Sequence, residues 1–181
     1  MNFEAKHLIR WGIPGWLYLT IIAAYFLIDD RAALTGYLKS LAITDLGLAA
    51  LLTGLGIILG NIIHQISMLF GFIIWNKREV YFHREYSVDR IIIDGRPEVQ
   101  RIYSYRLGQV HALRALTTSC ILSCITLITL FYFHSWSRGS LILFCLTAIL
   151  IIIVFVNQRY FRQNLDYFIN KIKVDNRSDF Y

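Results

Sequence analysis

Proline is scarce in this chain, with two in 181 residues, and acidic residues are missing from the interiors of its four longest apolar runs. The first scarcity leaves long helices unbroken, because proline is the strongest interruption a helix meets. The second disfavours a proton or cation transporter driven by buried carboxylates and excludes an intramembrane protease of the aspartyl type. Cysteine is scarce too: Cys120, Cys124 and Cys145 all fall inside apolar runs with no histidine or carboxylate beside them. That pattern supplies neither a metal-ligand set nor a disulfide framework, and Cys120 and Cys124, four apart on one helix face, read as small packing residues. No glycine-rich phosphate loop follows a strand, no His-Glu-x-x-His occurs and no serine is flanked by glycines. The common catalytic signatures are therefore missing, and no cofactor or metal is implied. The two halves show no internal similarity, which disfavours transport by inverted repeats.

Charge is low as well, at 17% of residues against 56% hydrophobic, with a mean hydropathy of +0.51. These values exclude an ordinary soluble domain. The net charge of +6 would suit nucleic acid, but the basic residues flank apolar runs and no nucleic-acid module is recognisable. Topology and anionic lipid headgroups explain them first. Fifteen of the eighteen Lys and Arg residues lie in three segments: before Trp11, between Trp75 and Ala115, and after Asn157. Crossing a membrane at each of the four apolar runs puts all three segments on one side, and the positive-inside rule makes that side the cytosol.

The expected fold is an all-α integral membrane protein with four transmembrane helices and cytosolic helical extensions of spans 3 and 4. It forms a single membrane domain with spans at about 13–28, 46–75, 112–133 and 141–156. Both termini are expected in the cytosol, in the inner (plasma) membrane. Lys6 and Arg10 followed by an apolar stretch resemble a signal peptide, but Asp29, Asp30 and the missing small-x-small cleavage site favour a retained first span. Pro14 fits the first turn of that span, with Trp11 and Trp16 at headgroup level. Residues 31–44 read as a connection broken at Gly36. Thr44 and Asp45 supply a helix start for the second run, which is about 45 Å long if wholly helical. A re-entrant hairpin around Gly54, Gly56 or Gly60 would separate Lys6 and Arg10 from the other basic segments, so one long helix is preferred. The link with His134, Trp136 and Arg138 joins the last two spans as an antiparallel hairpin.

In the cytosolic segment 76–111, residues 78–94 read equally well as helix or strand. Asp94, Gly95 and Arg96 make a turn, and Pro97 begins a helix that runs on into the third span. A C-terminal amphipathic helix over 157–174 carries Phe161, Leu165 and Phe168 on one stripe, facing the Pro97 helix or another subunit. Together with Arg90, Arg96, Arg101 and Arg106 this stripe is the expected dock for a soluble cytosolic partner.

Three constellations carry chemistry. Asn61, His64 and Gln65, lying deep in the second run on one face, serve either as interhelical hydrogen-bonding groups or as the lining of a wet pathway with His64 titratable. Gly56, Gly60, Ser67 and Gly71 form a seam that permits close helix approach, matched on the third span by Ala112, Ala115, Ser119, Ser123 and Thr126. These seams pack on each other or line an interface between copies. Finally, Arg106-Leu-Gly-Gln-Val-His111 is similar to the Arg-x4-His pattern of the HEPN ribonucleases, over six residues. Some of those enzymes accompany microbial defence systems, and they usually pair two copies of the motif across a dimer. In that resemblance Arg106 and His111 would be catalytic. On a straight helix, however, residues five apart diverge by about 140°, and headgroup contacts account for the pair equally well.

The functional expectation is a small homo-oligomeric, channel-like membrane effector that alters permeability in response to a cytosolic signal or partner. Effectors of microbial defence systems share this architecture by analogy. The alternatives are a non-conducting anchor or sensor subunit that docks a soluble protein, and the membrane-tethered ribonuclease.

Overall fold

The computed structural model describes residues 5–40, 43–73, 78–93, 97–133 and 136–178. Every regular element among them is helical: α1 (Ala5–Asp29), α2 (Arg31–Ser40), α3 (Asp45–Met68), α4 (Arg78–Ile93), α5 (Pro97–Phe133) and α6 (Arg138–Ser178), with one π-helical turn, Leu69–Ile73, closing α3. Four helices are long and apolar enough to span a membrane: α1, α3, α5 and α6. The turn expected at Asp94 to Arg96, the last residues of the second run and His134 lie outside the described residues.

Local chemistry explains most helix starts. The Thr44 hydroxyl accepts from the Gly47 N–H at 3.2 Å, capping α3. Ser137 and Ser140 cap α6 reciprocally, the Ser140 N–H donating to Ser137 Oγ and the Ser137 N–H to Ser140 Oγ, both at 3.1 Å. Pro97 takes the first position of α5, where a missing N–H costs nothing. Residues 78–93 resolve as helix, settling a choice that hydrophobic period left open.

Two local expectations are corrected. The segment after Asp30 is helical over Arg31–Ser40, with Gly36 in its middle. Asp30 caps it, accepting from the Ala33 N–H at 3.0 Å, and a capped start offsets the helix penalty of one glycine, about 1 kcal/mol. Pro14 lies in the interior of α1 rather than its first turn, because the helix begins at Ala5. Its missing N–H leaves a break in the backbone ladder, which a protein tolerates in a span when neighbouring groups compensate. The proline's own carbonyl is drawn into a contact between helices: the Ser119 hydroxyl donates to it at 2.6 Å.

α1 and α5 form the inner pair, each touching the other long helices, while α3 and α6 flank them. The α1–α3 contact is set by glycine. A Cβ on Gly15 would run into the Gly56 carbonyl, one on Gly60 into the Trp11 carbonyl, and one on Gly56 into the Trp16 indole. Backbone therefore lies against backbone, the approach that small residues permit. Trp16 spans the joint and donates its Nε1–H to the Thr53 carbonyl at 3.2 Å. On the other side of α1, Tyr18 Oη and Thr126 Oγ1 are 2.9 Å apart.

These contacts fix a common level. Trp11 on α1 is beside Gly60 on α3; Pro14 is beside Ser119 on α5; Thr117, just below Ser119, lies 3.4 Å from Gln158 on α6. At the opposite end Ile28 meets Gly139, and Tyr25, Phe26, Phe131, Phe144 and Trp136 form an aromatic cluster, with Phe131 and Trp136 stacked at 4.0 Å. From Trp11 to Ile28 is about 26 Å of helix, close to a bilayer's hydrocarbon thickness. Beyond the Trp11 level α5 and α6 each continue for about 30 Å, and α3 for roughly 20 Å. This projecting end carries the three basic segments.

Substitution at the glycines separates the two roles of α3. Gly60→Ala is expected to destabilise the bundle by about 1–3 kcal/mol through overpacking. Gly54→Ala, whose Cβ meets nothing within 4 Å, should be neutral or stabilising by up to about 1 kcal/mol. Denaturant titration in micelles, read by Trp fluorescence, measures both.

Candidate functional site at the basic end

The projecting end is built around a small core of its own. α4 packs against α5 and α6 and buries Val88 and Ile92, while Val110 of α5 and Leu165 of α6 are buried at the same end. Arg106 is the principal polar tie. Its Nη1 donates to Asn164 Oδ1 at 2.6 Å and to the Asn164 carbonyl at 3.3 Å, and its guanidinium lies over the Phe168 ring, 4.6 Å from the centroid. A planar, permanently charged group can bind a carboxamide and cover an aromatic face at once. Burial first, and the carboxylates of Asp89 and then Glu85 next, raise the Tyr103 phenol above its ordinary value. Two acidic groups of α4 thus face the α5 extension.

The α6 stripe is consequently used inside the chain. Leu165 is buried, and Phe161 and Phe168 are half-buried. Of the arginines expected to dock a partner, Arg90 and Arg101 are exposed, Arg106 is engaged as described, and Arg96 lies outside the described residues.

Asn61, His64 and Gln65 sit at or beyond the Trp11 level rather than deep in the bundle. The reason is the register: α3 starts at Asp45, sixteen residues bring it to Gly60 beside Trp11, and its apolar run simply continues. The three also part company around the helix. His64 turns to α5, where its ring stands edge-on to His111 at 6.2 Å between centroids. Asn61 and Gln65 are exposed on the outer side, with Gly56, Gly60, Ile63 and Ser67 buried on the inner one.

Both small-residue seams meet α1. Gly56 and Gly60 receive α1, as Ser119 does from the opposite side. Ala115, Ser119 and Ser123 are buried, and the Ser123 hydroxyl returns to the Ser119 carbonyl at 2.9 Å. α3 meets α5 along its own length, and in the π-helical turn that follows, Gly71 lies against Arg114, whose Cδ and Nη1 stand 3.1 and 3.2 Å from a Cβ built there. Arg114 is 8% exposed. Helical side chains lean toward the helix N-terminus, so this arginine reaches from the rim of the bundle toward the basic end, the direction a snorkelling side chain takes. His64, His111, Arg114 and the Gly71 turn thus share one joint between α3 and α5. The sequence signal for this grouping is that His111 and Arg114 are three apart on a face that continues the Ala115 and Ser119 seam.

Arg106 and His111 address different helices, α6 and α3 respectively. Their divergence follows from a five-residue separation on an undistorted helix. Among the described residues no group of three or more His, Cys, Asp or Glu could hold a metal ion.

The class these observations define is an all-helical protein with four helices able to span a membrane and a projecting basic end. No family model, curated protein or solved structure matches the chain.

Two outcomes check this end. Arg106→Ala should weaken docking of the α6 extension by about 1.5–3 kcal/mol, seen as faster amide exchange in residues 160–172, and Arg106→Lys should restore little of it. The Tyr103 phenol stays neutral in the folded chain to higher pH than in the unfolded one. Below about pH 10 both states hold the proton and nothing changes. Above it the unfolded chain ionises first, so docking of α4 should weaken as pH rises past about 10, and Tyr103→Phe should remove that dependence.

Proposed function

We propose that this chain is a multi-pass protein of the inner (plasma) membrane with both termini cytosolic, acting as an oligomeric effector that converts a cytosolic event into a change in membrane permeability. The positive-inside rule supports the orientation, since fifteen of eighteen Lys and Arg lie in the segments at one end. The observation that carries the reading is continuity. α5 and α6 run for 37 and 41 residues without a break, so a partner or ligand that tilts their projecting ends tilts their spans too. A shift at one end of such rigid, packed elements is transmitted to the other.

The interior of one chain offers no channel to this mechanism. Around α1 the contacts are backbone to backbone on one side and through Ser119 and Tyr18 on the other, and Leu127, Cys120, Ser119 and Ser123 are fully buried. Permeation in this reading passes between copies. The tight interior is also what a non-conducting anchor for a soluble partner would have, and that is the second reading; exposed Arg90 and Arg101 are its cytosolic contacts.

Dye and ion release from liposomes distinguishes the two. The effector reading expects release that rises more steeply than linearly with protein-to-lipid ratio. Absence of release at every ratio, with a soluble partner still captured, assigns the anchor role.

A further inference from the structure

Resting on the reading that α3 lies in a bilayer, we infer that its outer face is the surface on which a second copy of this chain docks, helix to parallel helix. α3 gives one side to α1, where Gly56, Gly60, Ile63 and Ser67 are buried. Its other side carries Gly47, Leu51, Gly54, Ile58, Asn61 and Gln65, spaced alternately by four and three. That spacing is the seam of a left-handed helix pair. Leu51 and Ile58 are 43% and 59% exposed, and Asn61 and Gln65 are exposed beside them.

Two independent features select a copy of the same chain. The first is Gly54. Unlike Gly56 and Gly60, it has open space where a Cβ would be, so nothing inside the chain requires glycine there. A glycine in an exposed helix interior costs about 1 kcal/mol relative to alanine; close approach of another backbone gives the position its use. The second is the pair of carboxamides. Each is donor and acceptor at once, so at the Trp11 end of the seam two like carboxamides can bond one another. Copies inserted in one orientation bring Asn61 to the same depth in every chain, so across a twofold axis normal to the membrane Asn61 meets Asn61 and Gln65 meets Gln65. A self-complementary surface of this kind forms a closed, isologous pair. A polar residue within an otherwise apolar seam also fixes register.

The test uses the full chain in native-like membranes, with Cys120, Cys124 and Cys145 replaced by alanine and single cysteines introduced in turn. Oxidation should yield dimers from Leu51→Cys, Gly54→Cys and Ile58→Cys, and far less from Leu55→Cys and Ile62→Cys, which are exposed but off the seam. In a fluorescence-transfer assay in liposomes Asn61→Leu should raise the dimer dissociation constant roughly three- to twenty-fold. Gly54→Leu should raise it while leaving the unfolding midpoint of the monomer unchanged. Equal cross-linking at all exposed positions, or an oligomer that ignores both substitutions, would overturn this interface and leave the effector reading standing. A chain that stays monomeric at every protein-to-lipid ratio would overturn both.

Discussion

The close approach of α1 to α3 is the constraint on which the remaining geometry depends. With Gly15 against Gly56 and Trp11 against Gly60, the two backbones are in contact, and the register between them admits little adjustment. That register sets where the long apolar run of α3 begins and ends relative to its neighbours. It therefore decides which of its residues lie beside α1 and which run on past the Trp11 level. A looser joint, with alanine or larger residues, would let α3 slide to centre its apolar run. The polar residues at positions 61, 64 and 65 would then move inward by several ångströms.

The fold was legible in the sequence wherever the signal was local. The charge partition selected one continuous second helix over a hairpin, and α3 runs unbroken from Asp45. Thr44 announced its own cap, and Pro97 the start of a helix that reaches Phe133. What was not legible depended on partners far along the chain. Hydrophobic runs do not reveal that the first helix is central, because its low-contrast faces are all apolar. Asn61 and His64 lie in the middle of an apolar run yet level with or beyond Trp11, because helices of different length do not share a midpoint. Gly36 does not break its segment, because Asp30, which ends the preceding helix, also caps the next one.

The candidate site shows the same division. Arg106, His111, Phe168 and Leu165 were each identifiable as unusual, but their pairing was not. Asn164, the group that receives Arg106, lies 58 residues from it and has no distinguishing pattern of its own. Within the six-residue ribonuclease-like motif Arg106 contacts α6 and His111 contacts α3, and the fold gathers His64, His111 and Arg114 at one joint. Much of the chain's polar chemistry is thereby concentrated where the projecting helices leave the bundle.

The central position of α1 bears on how the protein is made. Chains are synthesised from the N-terminus, and membrane helices insert before they associate. Of the four helices able to span a membrane, α1, which each of the others touches, is the earliest in sequence. α3 follows its glycine-fitted partner, α5 meets both, and α6 meets α5 and α1. Each span completes its contacts with helices that precede it, so assembly can follow the order of translation without any earlier pair having to reopen.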